Sequence, residues 1–269
     1  MIEIIAEAGL NHQGNINLSL RMVDAARLAR ANIIKFQTYN PKLLLRPGDP
    51  DYQLLNDLAL PHVDFIKIAR YCEEIGIEFL STPGDLESLK FLVEECGVKR
   101  IKIGSDDLTH AELILAAAKT GLPLIMSTGM ATTGEIREAI PPSVADLTLL
   151  HCVSSYPCPI SEVNLHAITT LGDLFGCRVG YSDHTTGTVA CLAAAAVGAR
   201  VIEKHFMLEE HSVCVDKPVS ICTADLIKMV SDIRAIEKAL GDGIKIPTIS
   251  ELPNRARFRK GMDGRRGAV

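Results

Sequence analysis

Along the chain, short continuous apolar runs alternate with longer stretches in which apolar residues return every three or four positions. The runs cover residues 2–6, 32–37, 77–80, 100–103, 122–126, 147–152, 178–181 and 200–203. Runs of that length, rich in Ile, Leu and Val and bounded by turn residues, read as strands buried on both faces. The longer stretches cover 18–30, 63–75, 86–96, 110–119, 133–140, 163–175, 189–197 and 224–240. They carry the period of helices with one apolar face. Gly76, Gly97, Gly121, Gly176 and Gly198 stand at expected helix exits, and Asn17, Thr132 and Thr223 at expected entries. Residues 38–62 read as a long polar loop containing Pro.

Strict alternation of strand and helix predicts a parallel sheet, and eight such units predict closure into an α/β fold, the (β/α)8 TIM barrel, which needs about 250 residues. An open doubly wound sheet is the alternative. It would place a G-x-G-x-x-G turn after the first strand, and Ala8-Gly9-Leu10-Asn11-His12-Gln13-Gly14 lacks that spacing. The barrel is expected over 1–241. Residues 242–269 read as a basic tail or linker with Arg255, Arg257, Arg259, Lys260, Arg265 and Arg266.

Composition narrows the reading further. A hydrophobic content of 47% supports a large core, while 4% aromatics and no Trp leave Leu, Ile, Val and Ala to build it. The net charge of -5 gives no general attraction to nucleic acid or to an anionic membrane surface, so a phosphate site has to be a local cluster of cations. No apolar run reaches the roughly 18 residues of a membrane span, and Met1-Ile2-Glu3-Ile4-Ile5 has the wrong flanks for a signal peptide. None of the 8 cysteines forms a C-x-x-C pair, so reduced thiols and a cytoplasmic location are expected.

The polar residues gather where a barrel keeps its active site, at the C-terminal ends of the strands. His184 and His205 end the last two runs. Two imidazoles on neighbouring strand ends can hold one divalent metal and leave positions open for substrate. Asp183 is expected to orient one of them, because ligating imidazoles usually donate their other N–H. Lys35 continues one apolar run and Lys102 lies inside another, where an unpaired ammonium is costly and an anionic ligand would relieve the cost. Glu203 precedes His205 by two and therefore shares its face of the strand.

Nine motifs follow one another in order. They are Ile5-Ala6-Glu7-Ala8-Gly9-Leu10-Asn11-His12, Lys35-Phe36-Gln37-Thr38, Phe79-Leu80-Ser81-Thr82-Pro83, Lys102-Ile103-Gly104-Ser105, Ser127-Thr128-Gly129-Met130, Leu150-His151-Cys152, Tyr156-Pro157, Gly180-Tyr181-Ser182-Asp183-His184-Thr185 and Glu203-Lys204-His205-Phe206. Together they resemble the catalytic barrel of the sialic acid synthases and their nonulosonate-synthase relatives, from residue 2 to about 241. The resemblance implies an enzyme that condenses phosphoenolpyruvate with an acylamino-sugar aldehyde. It implies a divalent metal, Mn²⁺ or Mg²⁺, held by His184 and His205 to activate the acceptor. It puts Lys35 and Lys102 at the donor phosphate and carboxylate, with Ser105, Ser127 and Ser182 completing the cradle. It gives Glu7 the water that attacks C2, and turns Gln37, Tyr156 and Asp216 toward the acceptor; Glu203, on the His205 face of its strand, is expected to contact the acceptor or to orient another residue. A homodimer is the assembly it suggests.

The sequence departs from that pattern in three places. Asp106-Asp107 stands where the family commonly has Gly-Glu. Cys214-Val215-Asp216-Lys217-Pro218 replaces a Gly-Pro-Asp-His segment. Residues 241–269 are too short for the small antifreeze-like domain that carries an acceptor-binding arginine in the family, so a naturally single-domain chain or an incomplete one is expected. Other readings are a synthase for a different sugar or sugar phosphate, an aldolase using Lys102 as a Schiff base, and a non-catalytic sugar-binding relative.

Overall fold

A computed structural model of the chain describes residues 1–209 and 214–266. The chain divides into two compact units, Met1–Glu237 and Lys238–Val269. The first is a (β/α)8 barrel. Its strands are β1 (Glu3–Glu7), β2 (Ile33–Thr38), β3 (Glu78–Pro83), β4 (Ile101–Ile103), β5 (Leu124–Ser127), β6 (Leu147–Cys152), β7 (Arg178–Asp183) and β8 (Val201–Met207). They run in the order β3-β2-β1-β8-β7-β6-β5-β4, every ladder parallel, and β3 and β4 lie side by side to bring the ring nearly to closure. A two-residue strand, β9 (Ile221–Cys222), adds to β8 outside the ring.

Side-chain alternation sorts each strand into two faces. Ile5, Ile33, Leu80, Ile125, Leu150 and Val201 point inward and fill the barrel as one apolar cluster. Gly180 makes room for them: a Cβ there would lie 2.4 Å from the Val201 carbonyl oxygen and 2.6 Å from Leu150 Cδ2. The outward positions, among them Ile4, Ile34, Phe36, Tyr181, Ile202 and Phe206, pack in the larger cluster shared with the helices. A further cluster joins Ile101, Ile103, Met126 and Leu149 to Leu113 and Ile136 of the helix layer.

The helices start close to their expected positions, with informative differences. Thr132 caps the helix Thr133–Ala139 in a reciprocal box with Glu135. The first helix, Ile16–Leu28, is capped by Asn15 and not Asn17, because the Asn15 side chain accepts from the backbone N–H groups of Asn17 and Leu18. Thr223 is the first residue of the helix Thr223–Leu240 and not its cap. The loop after β2 folds into two short helices, Pro41–Leu44 and Tyr52–Leu58. Among the described residues, no helix is long and apolar enough to cross a membrane.

The second unit holds a 3-10 turn at Ile249–Glu251 capped by Thr248, a helix at Leu252–Phe258, and an antiparallel bridge between Lys260 and Arg266. Positions 267–269 of the expected tail lie outside the described residues.

Candidate active site

The inward face that supplies the apolar plug also supplies the mouth, two residues further along each strand. Ile5 is followed by Glu7, Ile33 by Lys35 and Gln37, Leu80 by Thr82, Ile125 by Ser127, and Val201 by Glu203 and His205. On β7 the same step leads from Gly180 to Ser182 and His184. These polar side chains, with Lys102 of β4 and Ser105, Ser154 and Tyr156 of the loops, line a cavity of about 390 Å³. Asp106 and Asp107 also line it. His151 faces the other way, toward the helices, with its Nε2 2.7 Å from the Val163 carbonyl.

Glu7 stands between His205 and Lys35 in the register of β8, β1 and β2, so three ionisable groups form one row across the sheet. Lys35 Nζ lies 2.9 Å from Glu7 Oε2 and 3.7 Å from Glu203 Oε2, and donates to Thr82 Oγ1 at 3.2 Å. Burial works against the Lys35 ammonium, but Glu203 and Glu7 outweigh it and raise its pKa. Lys102 donates to Ser127 Oγ at 2.6 Å and to the Ile103 carbonyl at 3.0 Å. Burial lowers its pKa, offset only in part by Glu203.

The two carboxyls are driven apart. Burial raises the pKa of Glu7 despite Lys35 and His205. Burial would raise Glu203 too, but Lys102, Lys35 and the hydrogen bond from Ser182 bring it down to about 2. Ser182 Oγ makes that bond at 2.8 Å. Two neighbouring carboxyls separated in this way provide one poised to exchange a proton and one that stays ionised. Gln37 Nε2 donates to Glu7 Oε1 at 3.3 Å, so Gln37 holds the carboxyl from the open side of the mouth.

The rings of His184 and His205 are 5.6 Å apart, centroid to centroid. His184 Nδ1 lies 2.8 Å from the Val153 carbonyl, which only accepts; the proton is therefore on Nδ1 and Nε2 keeps its lone pair. Burial and the charge of His205 lower the His184 pKa to about 4, which keeps it neutral. Behind His205, Nδ1 is 3.5 Å from Asp216 Oδ2. Burial opposes a charged His205, but contact with Asp216 raises its pKa overall.

Asp216 does not line the cavity. Its Oδ2 accepts from the Leu10 N–H at 2.9 Å, and Asn11 Oδ1 accepts from the Asp216 N–H at 3.2 Å. Gly9 permits this approach: its φ is +51°, and a Cβ would lie 2.2 Å from Asp216 Oδ2 and 3.0 Å from His205 Nδ1. Asp183, expected to orient an imidazole, bonds instead to Tyr181, Thr185, Cys191 and Lys204 on the outward side of the sheet. The reason is alternation: the residue beside an inward histidine points outward.

Ser105 Oγ accepts from the Gly129 N–H at 3.0 Å and contacts Cys152 Sγ at 3.0 Å. The Tyr156 ring covers His184 at 4.2 Å, and more than half of Tyr156 is exposed. Ser154, a polar residue of the barrel mouth to which the sequence assigns no role, joins them; its buried hydroxyl faces the cavity without a hydrogen-bond partner among the described residues. Its position just after β6 was the available signal.

The NeuB family model matches residues 22–245. The chain is 44% identical over 252 residues to an uncharacterized protein of Methanocaldococcus jannaschii, covering 92% of this chain and 74% of that one. It is 38% identical over 288 residues to the N,N'-diacetyllegionaminic acid synthase of Legionella pneumophila, covering 99% and 81%. Among solved structures, the N-acetylneuraminic acid (sialic acid) synthetase of Leptospira borgpetersenii superposes with a TM-score of 0.89 at 38% identity, covering 97% of this chain and 93% of that one.

Proposed function

The chain belongs to the NeuB family, and on that premise we propose that its barrel mouth condenses phosphoenolpyruvate with an acylamino-sugar aldehyde of the N-acetylmannosamine type, giving a sialic-acid-like 3-deoxy-2-keto acid and phosphate. The observation that carries this reading is Lys102. It is 2% exposed, it is bonded to a serine and a carbonyl, and among the described residues no carboxylate comes within ion-pair distance. A buried ammonium in that state is completed by an anion from outside.

Lys35 and Lys102 hold the donor phosphate and carboxylate, and Ser105, Ser127 and Ser182 add hydrogen bonds. C3 of the donor forms a bond to the aldehyde carbon as the carbonyl π pair moves to its oxygen, which takes up a proton. Water adds at C2, and the C2–O bond to phosphate breaks with its electron pair on phosphate as the new C2 hydroxyl gives up its proton and becomes the ketone. Glu7, buried and raised in pKa, takes the proton of that water. Gln37 and Tyr156 face the acceptor from the open side, and Glu203 balances the lysines before the donor enters.

His184 and His205 fit a divalent metal, Mn²⁺ or Mg²⁺, because one keeps an Nε2 lone pair and the other is backed by a carboxylate. Among the described residues no third His, Cys, Asp or Glu converges with them, which leaves the remaining positions to water and substrate. When bound, such an ion acts as a Lewis acid on the aldehyde oxygen. Asp106 and Asp107 at the rim, with both cavity lysines committed to the donor, favour an unphosphorylated acceptor over a sugar phosphate.

The test is phosphate release from phosphoenolpyruvate with Mn²⁺ and a panel of acylamino hexoses, with and without a terminal phosphate, and mass measurement of the product. Sugar-dependent release is expected, with a product whose mass is that of the aldose plus pyruvate, the donor having gained water and lost phosphate. Tight donor binding with no turnover on any sugar would make the chain a non-catalytic relative.

A further inference from the structure

We propose that the buried ion pair between Asp183 and Lys204 is a positioning device that sets the separation and orientation of His184 and His205. The inference rests on the reading of those imidazoles as the metal pair.

Asp183 and Lys204 face each other in the register of β7 and β8, and each immediately precedes one of the histidines. Both side chains have zero exposure, and Nζ lies 2.9 Å from Oδ2. The carboxylate is saturated. Its Oδ1 accepts from Tyr181 Oη at 2.8 Å and the Thr185 N–H at 2.9 Å, and its Oδ2 accepts from Thr185 Oγ1 and Cys191 Sγ, each at 3.2 Å. Lys204 Nζ also donates to the Thr185 carbonyl at 2.5 Å. The residues on both sides of His184 are thus fastened to the residue before His205.

Stability alone does not account for charge at this place. The pair lies on the helix-facing side of the sheet, where the neighbouring outward positions Tyr181, Ile202 and Phe206 are core residues. A well-packed apolar pair of similar volume is often as stable as a buried ion pair, or more so. What an apolar pair lacks is direction. The ion pair and its hydrogen bonds fix the register of two strand ends at the point where two rings must project toward one another.

The test is Asp183→Leu combined with Lys204→Met in the full chain. Three quantities are measured: thermal unfolding, Mn²⁺ affinity by calorimetry, and the imidazole nitrogen resonances of the metal-free protein. The expected result is a folded protein whose unfolding temperature falls by no more than the donors left unpaired at Tyr181, Thr185 and Cys191 account for, with Mn²⁺ affinity reduced about tenfold or more, the scale of losing an orienting partner of a metal ligand. His184 should also lose its single Nδ1–H tautomer. A folded double variant with parental Mn²⁺ affinity and parental imidazole resonances overturns the proposal. If that variant does not fold, Tyr181→Phe removes one donor to Asp183 and leaves the ion pair. A roughly threefold loss of Mn²⁺ affinity is then expected, and no change in affinity or resonances is the contrary result. Equal Mn²⁺ binding by the parent and His184→Ala would sink the metal reading by itself, and the metal-free resonances would still decide whether the ion pair positions the rings.

Discussion

At the floor of the barrel, Arg100 lies between Glu78, with Nε–Oε1 at 2.7 Å, and Glu3, with Nη1–Oε1 at 3.0 Å, while Arg178 reaches Glu3 at 2.9 Å. At the mouth, Lys35, Lys102, Glu7, Glu203, His184 and His205 crowd into one cavity. The floor groups remain partly open to water, and their charges balance, two arginines against two glutamates. This network joins β1, β3 and β7 to the start of β4, and so spans the seam where β3 and β4 share no ladder. The mouth groups are almost fully buried, and although two lysines again stand against two glutamates the pairing is uneven: both glutamates lie on Lys35, Glu7 is pushed up by burial, Lys102 is pushed down by burial, and among the described residues the Ser154 hydroxyl has no hydrogen-bond partner. Evenly paired charges at the floor join the strands of the ring, and the unevenly paired charges at the mouth are what the proposed anionic donor would complete. A barrel commonly divides stability and chemistry between its two ends in this way.

The largest effect should come from the mouth. Lys102→Met keeps the volume and removes the ammonium, so phosphoenolpyruvate affinity should fall by about 2–5 kcal/mol, while stability to urea holds or rises because a costly buried charge is gone. Calorimetry with the donor and urea unfolding read the two quantities separately. A variant that loses stability but keeps donor affinity would place Lys102 with the floor groups.

Arg100→Met is the converse. Removing one partner of a buried pair costs about 3–5 kcal/mol, and the partial exposure of Arg100, Glu3 and Glu78 brings the expectation to about 2 kcal/mol. Donor affinity should stay unchanged. Loss of donor binding in step with stability would mean that the seam between β3 and β4 controls the mouth, and the contrast between the ends would collapse.

The barrel was legible in the sequence because the inward plug and the outward core share the same apolar runs. The strand ends were less so. β1 extends to Glu7, β3 to Pro83 and β8 to Met207, beyond the apolar runs that predicted them, because polar residues at a barrel mouth continue the ladder while resembling loop. His184, His205, Lys35, Lys102, Glu7, Gln37, Ser105, Ser127, Ser182, Tyr156 and Glu203 are brought to one cavity. Asp216 is brought to the back of His205, a placement decided by contact with Leu10 and Asn11 some two hundred positions away in sequence, which no local pattern reveals. Lys204 enters the sequence reading only as part of the Glu203-Lys204-His205-Phe206 motif, and its complete burial on Asp183 depends on a contact across the sheet. The floor network was invisible for the same reason, since its four residues come from four distant segments.

The smallest expected effect sharpens the comparison through pH. The Asp107 pKa is pushed up from 3.8 to about 7 by burial and then by the charge of Asp106, with Asp85 adding and Lys102 opposing. His110 Nδ1 also faces it, at 3.8 Å. In the unfolded chain this carboxyl ionises near 4. Between pH 4 and 7 the folded protein keeps a proton that the unfolded chain has released, so stability falls as pH rises through that window and levels off above it. Asp107→Asn removes the penalty, so the variant should match the parent near pH 4 and gain on it steadily up to about pH 7. A shift of that size has a ceiling of roughly 4 kcal/mol, but water at the rim relaxes it, and a gain of about 1 kcal/mol is expected. Urea unfolding at a series of pH values measures the gap. Arg100→Met should remain less stable than the parent throughout the same series, so the two ends of the barrel respond with opposite sign. A gap between Asp107→Asn and the parent that does not change with pH would show that Asp107 ionises alike in the folded and unfolded chain, and that the acidic rim is not strained by its own charge.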